Sequence, residues 1–365
     1  MTIVLFLVVL AVLIFVHELG HFLIAKKSGI RVDEFAIGFP PKIYGWQKGE
    51  TKYVINLIPF GGYVKIFGEN PDEESISGPD CQRSFINVSK WKQVAVLIAG
   101  VAFNIIFAWL LISASFMMGS LVPVGEGTDN SYAQYIKETN VVITSVAKSS
   151  PAELAGLKTG DKLLSVEGVV APDLTVTKVR ELIEKSPDHK IDLKIKRGSE
   201  SKDLVIETKL NEKENRQIIG IFMENVGVAR FGFFSGLWEG AKQTVQTLKA
   251  VAVGLGTFIG QAFQGKGDFS QVSGPVGIVG MVGNAADFGF AYLLGFVAFI
   301  SLNLAVINLV PFPALDGGRI LFVIIEAITR RQIKPKVANA INSIGFLILI
   351  TLMLVITYRD IAKLF

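Results

Sequence analysis

The chain has 365 residues, half of them apolar and only 19% charged, with a formal net charge of +4. A soluble domain carries about a quarter charged residues, so this composition excludes an ordinary soluble enzyme, and the mild basicity calls for no nucleic acid. One cysteine, Cys81, excludes an intramolecular disulfide framework and a thiolate zinc cluster, and the only histidines stand at 17, 21 and 189.

A helix crossing a bilayer core of about 30 Å needs roughly 20 apolar residues. Four stretches qualify: Ile3–Ala25, Val94–Gly119, Ala291–Val310 and Ala338–Tyr358. The first lacks a basic leader and is followed by Lys26 and Lys27, so it reads as an uncleaved span rather than a signal peptide. Lys26, Lys27 and Arg31, then Lys90 and Lys92, flank the first loop, and Arg330, Arg331, Lys334 and Lys336 fill the last. Both loops should therefore be cytosolic, with the N-terminus and residues 120–290 outside.

Residues 1–119 form the first half of the expected membrane core. Within them, 34–69 is too short and polar for a helix pair. Tyr53–Ile58 and Tyr63–Phe67 are strand-like and are parted by Pro59-Phe60-Gly61-Gly62. A membrane-associated hairpin is expected there. The segment 125–212 should be a compact exported α+β domain, opening on a stretch of low hydrophobicity from Gly125 to Asn140. In it Val141–Val146 reads as a buried strand, Ser150-Pro151 as a helix start, Gly156 as its stop and Lys162–Val166 as a strand. Thr175–Ser186 has helical spacing, while Ile191, Leu193, Ile195 and then Leu204, Ile206, Leu210 alternate. In 230–285, the apolar stretch Phe231–Phe263 carries Glu239, Lys242 and Lys249, which favour an interfacial amphipathic helix over a fifth span. Lys266–Pro275, polar and Gly-rich, suits a hinge at a gate, and 286–365 is the second half of the membrane core.

The chemistry stands inside the first span, as His17-Glu18-Leu19-Gly20-His21. Residues four apart share a helix face, so both imidazoles can reach one zinc ion with Glu18 beside the open coordination position. This is the H-E-x-x-H arrangement of zinc proteases. Three polar groups in one turn of a membrane helix are expensive and mark function. A catalytic zinc takes three protein ligands, and His189 belongs to the exported domain. The third ligand should be a carboxylate near the cytosolic ends of the spans. Asp316 fits, just beyond Pro311 and Pro313, which break the third span; Glu326 is the runner-up, though an exposed charge near Arg330 is its plainer reading.

The pairing of His17-Glu18-Leu19-Gly20-His21 with Asn308-Leu309-Val310-Pro311-Phe312-Pro313-Ala314-Leu315-Asp316-Gly317 resembles the site-2 protease family, and more narrowly its bacterial regulator-of-sigma-E branch. Supporting matches are Gly61-Gly62-Tyr63-Val64-Lys65, Arg83-Ser84-Phe85, Ala99-Gly100 leading to Asn104, and Ser273-Gly274-Pro275. The run from Pro151 to Asp161 resembles the circularly permuted PDZ domains of bacterial envelope proteases. The branch often carries two such domains and a proline after the second-span glycine; this chain has room for one and reads Gly100-Val101.

The resemblance implies an α-helical polytopic membrane protein of the bacterial inner membrane. It would have four transmembrane helices, a re-entrant or membrane-associated β-hairpin and an inserted extracytoplasmic PDZ-like domain. It implies that His17, His21 and Asp316 bind Zn2+ and that Glu18 is the catalytic acid/base. The substrates would be single-span membrane proteins, such as an anti-sigma factor or remnant signal peptides. Substrate backbone would be held by Asn303, Asn308 and Asn104, and at the hairpin edge around Gly61 and Gly62. For Asn303, an interhelical hydrogen bond is an equal alternative. A competing class is a zinc transporter or a metal-dependent membrane scaffold. A scaffold has no use for Glu18, and a transporter would place ionisable groups through the full bilayer depth, which the outer halves of the second and fourth spans lack.

Overall fold

The computed structural model describes residues 1–70, 72–124, 135–171, 173–186, 189–198, 200–211, 216–266 and 272–362. The chain divides into two compact units. One comprises 1–111, 241–282 and 297–365, the other 112–240 and 283–296. Among the described residues, four helices are long and apolar enough to cross a membrane: α1 (Thr2–Lys27), α3 (Lys90–Met118), α8 (Phe290–Leu309) and α10 (Pro335–Ala362). Each overlaps one of the four expected spans, with ends moved by up to four residues. Apart from Pro335 at the first position of α10, none contains proline. α1 closes at Ser28, with Gly29 in the left-handed region (φ 79°) and Lys26 and Lys27 in the last turn, where the helix dipole favours cations.

In the first unit, β1 (Val32–Lys48) and β2 (Thr51–Ile66) follow α1 and pair antiparallel with repeated bulges. The ribbon is bent over on itself. Residues 44–48 lie against 51–55, while Phe35 is registered with both Val64 and Tyr53, and Ala36 with both Tyr63 and Val54. The segment 62–66 thereby forms one margin of a ribbon several segments wide. Phe35, Ile66, Phe22, Ala25, Val96, Leu97 and Val323 form a buried apolar cluster that anchors the hairpin to α1, α3 and α9 (Asp316–Thr329). The short α2 (Glu73–Ser77) and the turn Cys81–Arg83 are tied in by Arg31. Its guanidinium bonds Asp33 and Asp80 at 2.9 and 2.8 Å and lies 3.6 Å from the Phe67 ring centre.

The second unit is a β-sheet domain with a conventional core. It is built from β3 (Ser120–Pro123), β4 (Ile136–Val146), α4 (Pro151–Leu154), β5 (Lys162–Val166), β6 (Val169–Val170), α5 (Val176–Glu184), β7 (Lys190–Arg197), β8 (Glu200–Glu207), β9 (Lys209–Asn211), β10 (Arg216–Ile218) and β11 (Ile221–Ala229). The main sheet runs β3-β11-β4-β5-β7-β8, with β6 paired to β5, and β9 and β10 pair separately. Ser150 caps α4 by accepting from Glu153 N–H at 3.2 Å, and Thr175 caps α5 by accepting from Lys178 N–H. Ile143, Leu163, Val166, Val179, Ile191, Ile195 and Ile206 are buried together.

The remaining helices are α6 (Phe233–Phe263) and α7 (Pro275–Asp287). α6 carries Glu239, Lys242 and Lys249 and is not apolar enough to count as a span. Several details differ from the sequence reading. Tyr53–Ile58 and Tyr63–Ile66 are not two strands parted at 59–62 but one strand, β2, which runs unbroken through those positions while the chain reverses between Lys48 and Thr51. The buried strand at 141–146 starts at Ile136, and the sheet reaches outside 125–212 to take in β3 and β11. Leu210 does not continue β8 but belongs to β9. Gly317 and Gly318 stand inside α9, a helix that the sequence reading did not delimit. The low-hydrophobicity stretch at 125–134 and most of the expected hinge, 267–271, lie outside the described residues.

Candidate metal centre

One helical turn of α1 places His17 and His21 on the same face, both 7% exposed, with their rings 4.7 Å apart. Asp316 arrives from the first residue of α9, just after the helix break at Pro311 and Pro313. Gly317 and Gly318 make that tight approach possible. A Cβ on either would collide with the backbone carbonyls of Val310 or Phe312, and one on Gly345 would collide with Pro313.

The three side chains converge. His17 Nε2 and His21 Nε2 are 3.2 Å apart, and Asp316 Oδ2 lies 3.1 Å from the first and 3.3 Å from the second. Asp316 Oδ2 is buried and makes no hydrogen bond of acceptable angle, while all three atoms lie close enough together to share one ion. Ligands on a tetrahedral ion with bonds of about 2.0–2.1 Å are held about 3.3 Å apart. The residues present therefore fit a zinc ion, with two neutral imidazoles and one carboxylate as donors and one position left for reactants.

α3 supplies the wall behind these ligands. His21 Nδ1–H donates to the Val96 carbonyl at 2.8 Å, which leaves Nε2 free to coordinate. Gly100 faces the rings directly. A Cβ there would stand 2.7 Å from His17 Cε1 and closer still to His21 Nε2. Gly20 packs on the same backbone, where a Cβ would be 2.5 Å from the Ala99 carbonyl oxygen. Gly20 thus serves close helix packing. Asn104, 0% exposed, has its side-chain nitrogen 3.2 Å from His17 Nδ1, and its backbone carbonyl accepts from Ser301 Oγ at 2.9 Å.

Glu18 lies between the metal ligands and the hairpin, where its Oε2 accepts from Val64 N–H at 3.1 Å. That bond aims the margin segment 62–66 at the site, with Gly61 and Gly62 at its start. His17, Glu18, His21, Tyr63, Val64, Asp316 and Arg319 line one cleft of about 630 Å³. Arg319, one turn along α9 from Asp316, forms an ion pair with Glu69 at the rim. Tyr63 donates to Glu34 at 2.5 Å, which fixes the neighbouring edge residue.

Other expected site residues lie apart from this convergence. Asn303 donates to Phe299 O of its own helix at 2.8 Å, neither to another helix nor into the cleft, and Asn308 is half-buried further along α8. Glu326 is neither a ligand nor an exposed charge near Arg330. It pairs with Lys90 at 2.5 Å and accepts from Ile333 N–H at 2.8 Å. His189 is in the β-sheet unit, beside Gln217. Val96 and Arg319 were not singled out from sequence, and Gly100 stood out only within the Ala99-Gly100 match, with no role at the metal site. A backbone carbonyl such as that of Val96 carries no sequence signal.

The sequence profile of Peptidase family M50 matches residues 5–352. A relative from Clostridium perfringens that carries a zinc-metalloprotease name is 35% identical over 355 residues, covering 97% of each chain. The zinc metalloprotease RasP of Geobacillus kaustophilus is 30% identical over 428 residues, covering 99% of this chain and 97% of that one. The regulator of sigma-W protease RasP of Bacillus subtilis is 28% identical over 439 residues, covering 100% of this chain and 99% of its own. With a family match across nearly the whole chain, the protein belongs to Peptidase family M50, the site-2 proteases, and is a zinc metalloprotease of the membrane.

Proposed function

We propose that this chain is an intramembrane endopeptidase that cleaves single-span membrane proteins within or beside their transmembrane segments. The observation that carries the reading is the convergence of Asp316 Oδ2 on His17 Nε2 and His21 Nε2, which stand with Glu18 in a helix of membrane-crossing length. In this reading His17, His21 and Asp316 hold the zinc. When bound, zinc supplies Lewis acidity toward water and the scissile carbonyl. Glu18 accepts the proton of the attacking water and returns it to the leaving amine. Its bond to Val64 N–H keeps the carboxylate beside the hairpin margin, where the substrate would lie.

A helical peptide bond is shielded by its own hydrogen bonds, so the substrate must be unwound before cleavage. The segment 62–66 is suited to that task, because a margin strand can add an extended segment and satisfy its backbone. The hairpin would then be re-entrant, with Gly61 and Gly62 at the point where the substrate strand docks. Asn303 and Asn308 would help clamp it, Asn303 after giving up its bond to Phe299 O. The β-sheet unit is read as a single PDZ-like domain. Its capped α4, the turn at Gly160 and the strand Lys162–Val166 support that reading, and steric exclusion of bulky exported domains is its suggested use.

By the positive-inside rule, the lysines and arginines at 26, 27, 90, 92, 330 and 331 support an orientation with the N-terminus and residues 120–290 outside the inner membrane and the cleft toward the cytosol. The Bacillus relative is named a regulator of sigma-W protease. An anti-sigma factor is accordingly the first substrate class to try here. The test is Glu18→Gln in membranes holding a single-span reporter. Cleavage should cease while zinc stays bound, and continued cleavage would refute the assignment.

A further inference from the structure

We propose that Asn104 is a positioning residue of the metal centre. Its side-chain carbonyl accepts the Nδ1–H of His17 and so keeps His17 Nε2 unprotonated and directed at the zinc. The inference rests on the zinc assignment of His17 and concerns what lies behind that ligand.

An imidazole that coordinates through Nε2 carries its proton on Nδ1, and that N–H needs an acceptor when buried. His21 meets the requirement through the Val96 carbonyl at 2.8 Å. His17 Nδ1 faces one polar side chain, that of Asn104, at 3.2 Å. The atom of Asn104 at that distance is the amide nitrogen, which is a donor. Its oxygen Oδ1 is fully buried and has no hydrogen-bond partner. A donor facing a ligand nitrogen that must itself donate, with an orphaned acceptor on the same planar group, marks an unsatisfied arrangement. A half-turn of the amide, whose N and O ends are nearly isosteric, sets its carbonyl against Nδ1–H and gives that donor its acceptor.

The rest of α3 is consistent with this role. Val96, Gly100 and Asn104 are spaced four apart and share one face. In turn they give His21 an acceptor, give both rings room, and meet the outer nitrogen of His17. Asn104 is itself fixed by the Ser301 bond to its backbone carbonyl. It is completely buried and does not line the cleft, so it stands behind His17 rather than on the side where substrate enters. This assigns it a different task from the substrate contact that the family resemblance suggested.

The test measures zinc retained by the purified full-length protein after equilibration with a graded series of chelator concentrations, read by elemental analysis. Asn104→Leu keeps the volume and removes the acceptor, and it should release zinc about 10–100-fold more readily than the unaltered chain. Asn104→Asp keeps an acceptor at the same place and should hold zinc nearly as the unaltered chain does. The proposal is overturned if the Leu variant retains zinc normally, or if the Asp variant sheds it as easily as Leu. Should the Leu variant fail to fold, the Asp variant decides alone.

Discussion

The two units bury opposite kinds of group, and each does so at the residues that define it. In the β-sheet unit, Ile143, Ile191, Ile195 and Ile206 are at most 1% exposed and fill the space between sheet and α5. At the level of His17 in the membrane unit, the buried groups are imidazole, carboxamide and hydroxyl, from His17, His21, Asn104 and Ser301. They are set against Gly20 and Gly100, where a side chain would add packing but has no room. Apolar packing in that unit is displaced to the cluster of Phe22, Phe35, Val96, Leu97 and Val323. A site whose polar atoms must be both buried and aimed gives up local hydrophobic stabilisation and draws it from a neighbouring cluster. The difference predicts opposite responses to small changes in side-chain volume.

The largest effect should come from the carboxylates. Asp316→Asn should abolish zinc retention and reduce proteolysis to background, because the amide is a far poorer ligand than the ionised carboxylate. Glu326→Gln should leave zinc content unchanged, since Glu326 is committed to Lys90 and Ile333 N–H. Elemental analysis of the two purified variants separates the roles, and zinc kept by Asp316→Asn but lost by Glu326→Gln would return Glu326 to the ligand set. Next in size is Gly100→Ala. The new Cβ would press on His17 Cε1 and His21 Nε2, so zinc retention should fall by about 10–100-fold, comparable to the loss of an outer-shell partner. Chelator titration measures it, and unaltered retention would show that the rings have slack.

The legible and illegible parts of this molecule differ for physical reasons. His17 and His21 could be placed together because helical periodicity is local and ionisable groups in a membrane span are costly. Asp316 was readable because the proline break beside it announces irregular backbone at membrane depth. β1 was not readable as a strand, since its bulges and the glycines and prolines at 38, 40, 41 and 45 destroy the two-residue alternation. α9 was obscured by Gly317 and Gly318, which punctuate a sequence but here admit close carbonyls to a helix start. The Val96 carbonyl and the Val64 amide act through backbone atoms that every residue possesses, so no side-chain pattern could reveal them.

In the β-sheet unit the corresponding sensitive point is a buried charge. Asp161, with its side chain 1% exposed, accepts from Arg197 Nε and Nη2 at 2.7 and 2.6 Å and from Lys158 N–H at 2.9 Å. Arg197→Leu leaves that carboxylate buried with only the backbone donor, and should destabilise this unit by on the order of 3 kcal/mol. Hydrogen exchange of the β4, β5 and β7 amides reads the change, because those strands open last when the unit is intact. Zinc retention should not move. The double replacement Arg197→Leu with Asp161→Asn should recover part of the loss, since it removes the stranded charge.

The smallest effect is the most direct inversion of the Gly100 experiment. Ile143 is 0% exposed, and its backbone is held by two bonds that do not involve its side chain: its N–H donates to Asp161 O, and its carbonyl accepts from Gly160 N–H, both at 2.9 Å. Ile143→Val therefore deletes one methylene and leaves the hydrogen bonds intact. The cost should be about 1 kcal/mol, or roughly 3 °C in the melting of a domain this size, with no change in zinc retention. Removing one carbon from the apolar core should be a graded loss of stability, whereas adding one carbon at Gly100 should be a loss of metal. If Ile143→Val released zinc, or if Gly100→Ala only lowered the melting temperature, the division of labour between the units would fail, and packing and positioning would have to be treated as one property of the whole chain.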